Sequence, residues 1–130
     1  MLKLSNPKIV LVVDDEPSSL ELIDFILKKH HFQTILVGEA NQALKVTEKQ
    51  VPDLILLDLL MPDMNGAELC KRFKTNPLTQ NVPILFISAI VSDKEIVKGF
   101  KAGAVGYIFK PFDSDRVIKK VEEILKVKRE

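Results

Sequence analysis

Five short apolar runs, rich in β-branched residues, punctuate the chain at residues 9–13, 34–37, 54–57, 84–87 and 107–109. Each is continuous rather than alternating. That suits strands buried on both faces, as in a parallel sheet. Between them apolar positions recur at helical spacing. Leu20, Ile23, Ile26 and Leu27 form one stripe, and Pro17 suits the first helical position ahead of it. Ala40, Ala43, Leu44 and Thr47 mark a second helix, and Asn65 caps a third that carries Leu69, Cys70 and Phe73. Ser92 and Glu95 read as a capping box opening a fourth helix, with Ile96, Val97 and Phe100 inward and Gly99 lowering its propensity. Asp113 or Ser114 caps a fifth, with Val117, Ile118, Val121, Ile124 and Leu125 on one face.

The order is (βα) repeated five times. This alternation predicts right-handed crossovers and an α/β domain with an open, doubly wound, five-stranded parallel sheet. A closed eight-fold barrel needs more chain than 130 residues. One domain is expected to fill residues 8–126, with 1–7 and 127–130 as short tails. Composition adds little to that picture. The apolar fraction of 46% fits a packed core, and a net charge of +1 gives no case for nucleic acid or a membrane surface. The single cysteine, Cys70, excludes an internal disulfide and reads as a buried, inert thiol. No segment has the length and apolarity of a membrane span, and a cytoplasmic protein is expected.

Candidate chemistry gathers where the strands end. Sheets of this kind bind ligands at their carboxyl edge. There the chain places Asp14 and Asp15, then Asp58, Ser88-Ala89 and Lys110-Pro111. Taken singly, each has a bland reading as a cap, turn or solvated residue. Together, three converging carboxylates would repel one another without a cation. Oxygen-only ligands point to Mg²⁺, or Mn²⁺, rather than zinc. Lys110 supplies a positive point charge for a phosphate oxygen, Ser88 a hydroxyl donor, and the small Ala89 a path for the incoming group. The assembly suits in-line phosphoryl transfer to a carboxylate nucleophile.

The motifs VVDDEP at 12–17, PDLILLDLLMPDMNG at 52–66, PILFISA at 83–89 and GAVGYIFKP at 103–111 stand in order along the chain. In that set the chain resembles the receiver domain of two-component response regulators, the chemotaxis regulators among them. The resemblance implies a flavodoxin-like sheet of strand order 2-1-3-4-5. It implies Asp58 as phosphoacceptor, with Mg²⁺ on Asp15, Asp58 and the Leu60 carbonyl and with Asp14 acting through a water. Leu59, Ala89 and Lys110 are the implied phosphate-binding positions. Ser88 and Tyr107 match the switch pair, and a cis Lys110–Pro111 peptide is expected. The implied donor is a phosphohistidine on a sensor histidine kinase or a histidine phosphotransfer domain. The implied output is a downstream protein target or effector domain. The face of the fourth helix, fifth strand and fifth helix is a candidate homodimer surface.

Three positions depart from common family choices. Leu60 and Ile90 are apolar beside the acceptor, and Val105 replaces a frequent acid. Leu60 and Ile90 are expected to place hydrolytic water poorly and to lengthen the life of a phosphorylated form. A phosphohydrolase of the haloacid-dehalogenase type wants a second acid two residues after its nucleophile, where Leu60 stands. A nucleotide-binding reading lacks both common glycine-rich phosphate loops. A docking module on the same fold, never phosphorylated, is the remaining alternative. His30-His31 at the end of the first helix reads as a solvated or dipole-stabilised terminus, and Met61 and Met64 as packing residues.

Overall fold

The computed structural model of the chain describes residues 7–89 and 92–126. Ile90 and nearly all of both expected tails lie outside the described residues. The elements run β1 (Ile9–Val13), α1 (Pro17–Lys29), β2 (Gln33–Val37), α2 (Ala40–Lys49), β3 (Leu54–Leu57), α3 (Gly66–Thr75), β4 (Ile84–Ser88), α4 (Asp93–Ala102), β5 (Gly106–Phe109) and α5 (Ser114–Leu125). The strands form one sheet of order β2-β1-β3-β4-β5, and every pairing is parallel.

The continuous apolar runs are explained by a core on each side of the sheet. Val10, Val12, Leu54, Leu56, Leu85 and Ile87 pack with residues of α1 and α5. Their neighbours Leu11, Val13, Ile55, Leu57, Ile84 and Phe86 pack with α2 and α3 on the other side. Because successive side chains point to opposite faces, consecutive residues of these strands have to be apolar until the carboxyl edge, where Ser88 ends β4.

The helix starts follow local chemistry. Asn65, Ser92 and Asp113 accept from the N–H groups of Ala67, Glu95 and Arg116. The start of α2 is held differently. Asp63, in the loop after β3, accepts from the N–H groups of Ala40 (3.0 Å) and Asn41 (3.1 Å). Those bonds to the charged form hold the Asp63 carboxyl below the usual carboxylate range. Its negative charge also suits the positive end of a helix.

In α4 the burial differs from the sequence pattern. Val97 and Phe100 are 48% and 49% exposed, and Gly99 is the buried residue. The bare backbone at Gly99 lets the helix settle onto Tyr107 and Phe86, and a Cβ there would collide with the Tyr107 hydroxyl. The glycine that costs propensity thus sets which face of the helix turns inward.

A second close approach lies beside β3. A Cβ on Gly66 would collide with the carbonyl oxygen of Asp58 and come within 2.7 Å of Leu59 Cα. Both obstacles are backbone, so neither can swing aside. Gly66→Ala is therefore expected to cost ~2–3 kcal/mol by overpacking. Urea unfolding should show the loss as a lower midpoint at unchanged slope; an unchanged midpoint would refute this account of the approach.

Candidate functional site

The site is assembled from three neighbouring strands, β1, β3 and β4, and from β5 at the edge. The parallel ladder continues one residue past two strand ends, where Asp14 N–H donates to the Val37 carbonyl and Asp58 N–H to the Val13 carbonyl. This sets Asp14 and Asp58 side by side. Lys110 follows β5, and its N–H donates to the Ser88 carbonyl (2.9 Å). The Lys110–Pro111 peptide is cis, as expected.

Lys110 Nζ reaches Asp14 Oδ2 and Glu16 Oε1, both at 2.9 Å, and Asp58 Oδ2 at 3.4 Å. Asp14 Oδ1 accepts from the Glu16 N–H (3.0 Å), and Asp58 Oδ1 from the Leu60 N–H (3.2 Å). Asp14, Asp58 and Ser88 are buried. An open cavity of about 310 Å³ lies over Asp58 and Ser88, lined also by Asp15, Glu16, Leu60, Ala89 and Lys110.

Most of the sequence candidates thus meet at one place. Asp15 is exposed and lines the cavity without joining the Lys110 network. Leu59 is fully buried in the α2–α3 core, and its carbonyl accepts from the Gly66 N–H (2.8 Å). Leu60 is 58% exposed at the cavity mouth. Tyr107 lies apart from the cavity, beneath α4. Its hydroxyl donates to the carbonyls of Ile96 (3.0 Å) and Glu95 (3.2 Å). Its ring packs against Phe86 and Phe100, each at a centroid distance of 5.2 Å.

The bland readings hold elsewhere. Cys70 is fully buried, and burial pushes its thiol up to about 11. His30 ends α1 with Nδ1 3.0 Å from the Ile26 carbonyl. Met61 and Met64 pack against the core.

Glu16 is the residue that the sequence reading missed. It occupies the cap position of α1 but makes no side-chain cap bond there. Its carboxylate turns towards Lys110 instead. The only signal was a third acid after Asp14-Asp15, and its partner lies on the far side of the chain.

Burial is the largest influence on Asp58 and raises its carboxyl to about 6. The Leu60 N–H and Lys110 pull it down, while the Asp14 charge pushes it up. Burial alone would lower Lys110. Hydrogen bonds to Asp14 and Glu16, with the charges of Asp58 and Asp14, outweigh it and hold the ammonium above its usual range. One carboxylate oxygen each from Asp14, Glu16 and Asp58 lie within 4.8 Å of one another. With Asp15 beside them the donors are all oxygen and strongly anionic, which fits a hard divalent cation with water in its remaining positions.

A model of the response regulator receiver domain matches residues 10–122. Among curated relatives, the DNA-binding response regulator MtrA of Mycolicibacterium smegmatis is 35% identical over 117 residues, which are 90% of this chain and 50% of that protein. The chain spans about half the length of the curated relatives it matches. Among solved structures, a putative response regulator from Chloroflexus aurantiacus superposes with a TM-score of 0.89 at 32% identity, covering 93% of this chain and 99% of that one. The signal receiver domain of a signal transduction histidine kinase from Syntrophus aciditrophicus superposes with a TM-score of 0.85 at 30% identity, covering 95% and 94%.

The raised Asp58 carboxyl makes folding stability depend on pH. In the unfolded chain an Asp releases its proton near ~4. The folded protein keeps it until about 6. Between these values the folded state binds more protons, so stability falls as pH rises through that window and stays lower above it. Asp58→Asn removes the penalty. In chelator-treated protein it is expected to be more stable above pH ~6.5 by on the order of 1–2 kcal/mol, a figure reduced for solvent reaching the cavity. The gain should vanish below pH ~4. Thermal unfolding across this range measures it, and a variant less stable than the parent at neutral pH would contradict the burial argument.

Proposed function

Because this chain belongs to the response regulator receiver domain family, we propose that residues 8–126 act as the phosphoacceptor of a two-component relay, with Asp58 as the acceptor. The observation that carries the reading is the placement of a buried carboxylate in a cavity with Lys110 and Ser88 around it. A carboxylate oxygen of Asp58 attacks phosphorus and forms an O–P bond. The N–P bond of a phosphohistidine breaks, and its electron pair stays on the imidazole, which takes a proton from water. The donor belongs to a sensor histidine kinase or a histidine phosphotransfer domain.

Asp15, Asp58 and the Leu60 carbonyl would hold Mg²⁺ directly, and Asp14 would do so through a water; Mn²⁺ has the same ligand preferences. Bound there, the metal would neutralise charge on the phosphoryl oxygens. Lys110 Nζ donates to one of those oxygens and the Ser88 hydroxyl to another, while the backbones of Leu59 and Ala89 border the group. The chain stores the phosphoryl group and turns over no external substrate. Leu60 in particular offers no acid to activate water or protonate a leaving group.

The stored group acts as a signal through local electrostatics. It adds about two negative charges where one carboxylate stood. Ser88 is drawn towards it. Tyr107 bonds two carbonyls of the first turn of α4, so that turn and the Tyr107 ring move together. The equilibrium shifts between two arrangements of the face made by α4, β5 and α5. Val97, Phe100 and Val105 are exposed large apolar residues of α4 and of the segment leading into β5. That face would serve a downstream protein, an effector domain or a second copy of the chain.

Incubation with acetyl phosphate and Mg²⁺ tests the acceptor. Intact mass should show one phosphoryl adduct that chelation suppresses and that Asp58→Asn abolishes. No adduct, from acetyl phosphate or from a phosphohistidine donor, would sink the proposal. Lifetime gives a second measure. Replacing Leu60 and Ile90 together by Asn and Glu should speed loss of the adduct about a hundredfold, the low end of what one positioned general base contributes. An unchanged decay would mean that these apolar neighbours do not protect it.

A further inference from the structure

Lys110 has more partners than its task requires. An ammonium group carries three donors and no acceptor. In the structure these meet three carboxylates, and the two shortest contacts go to Asp14 and Glu16 rather than to Asp58. A phosphoryl oxygen arriving at Asp58 therefore finds the ammonium committed, and one contact has to be given up.

The three partners are unequal in what their release costs. Asp14 is 2% exposed, and its charge would be stranded in a buried place. Asp58 is the acceptor itself and sits beneath the incoming group. The Glu16 side chain is 59% exposed and lies within reach of water throughout. Water replaces Lys110 there at little cost, since half-exposed ion pairs contribute little net stability. Ser19 Oγ also donates to Glu16 Oε1 (3.4 Å), so a second donor remains once Lys110 leaves.

Resting on the phosphoacceptor reading, we propose that Glu16 is a positioning residue that parks Lys110 at the cavity mouth and yields it when Asp58 is phosphorylated. Its side chain makes no cap bond at the helix start and turns to Lys110 instead. The role is not one of touching the phosphoryl group. Glu16 sets how much of the ammonium is available before transfer and has no hold on it afterwards.

The asymmetry makes the role measurable. Removing the parking contact should raise the second-order rate constant for phosphorylation and leave the lifetime of the product alone. Glu16→Gln removes the charge. Glu16→Asp keeps the charge but is one methylene too short to reach Lys110. With acetyl phosphate and Mg²⁺, both variants are expected to be phosphorylated about threefold faster than the parent, the scale of one half-exposed ion pair. Decay of the adduct should be unchanged in both. If Glu16 acted only by repelling the anionic donor, Glu16→Asp would match the parent, and that result overturns the positioning role. So does an altered decay.

A direct readout needs no phosphorylation. In ¹⁵N-lysine-labelled protein the Lys110 Nζ signal, assigned by its loss in Lys110→Gln, should shift in both variants. If the parent takes up no phosphoryl group at all, the acceptor reading fails, and this signal alone then decides the placement. A Lys110 signal that stays put in both variants overturns it.

Discussion

Like charges gathered at one edge of a sheet must be held there against their own repulsion. Asp14, Glu16 and Asp58 bring carboxylate oxygens within 4.8 Å of one another, with Asp15 beside them. Among the described residues Lys110 is the cation in contact with all three of the clustered groups. The rest of the architecture serves that balance. Parallel pairing sets the ends of β1 and β3 level, the bare α-carbon of Gly66 lets α3 close in behind Asp58, and the backbone bond to Ser88 fixes where Lys110 starts. Burial raises both the energy and the usefulness of the Asp58 charge. A carboxylate poorly solvated in its resting state gains more from a cation or from esterification than one in bulk water.

Much of this was legible along the chain because it depends on short-range regularities. Continuous apolar runs demanded strands covered on both faces, and two cores cover them. Polar residues just after those runs had to fall at the carboxyl edge, since the strands are parallel, and Asp14, Asp58, Ser88 and Lys110 fell there. What escaped detection depends on contacts between distant segments. Asp63 holds the start of α2 from another loop, so no local capping pattern announces it. Glu16 sits at a helix start in sequence but answers to Lys110 in space. Gly99 read as a weak point because propensity counts only the helix itself. Its value lies in what it allows Tyr107 to do.

The same contrast separates two kinds of coupling in the domain. Tyr107 is tied to α4 through backbone carbonyls rather than through side chains of that helix. Its ring is bounded by Phe86, Phe100 and Phe109, so its position and the exposure of Phe100 are linked through direct contact. The polar site, by contrast, is joined through ionic side chains, with Asp14 and Asp58 buried and Glu16 exposed. An aromatic cluster tied to backbone carbonyls thus lies in the same domain as an ionic cluster tied through side chains.

The bond from Lys110 to Asp14 joins residues 96 apart along the chain. The carboxylates of the site come from the first and third βα units, and Lys110 follows the edge strand of the fifth. A nascent chain still missing its last unit, or one whose final strand has been clipped away, would carry the clustered carboxylates without the lysine that balances them. The charge balance of the site therefore forms only once the fifth unit has folded onto the sheet.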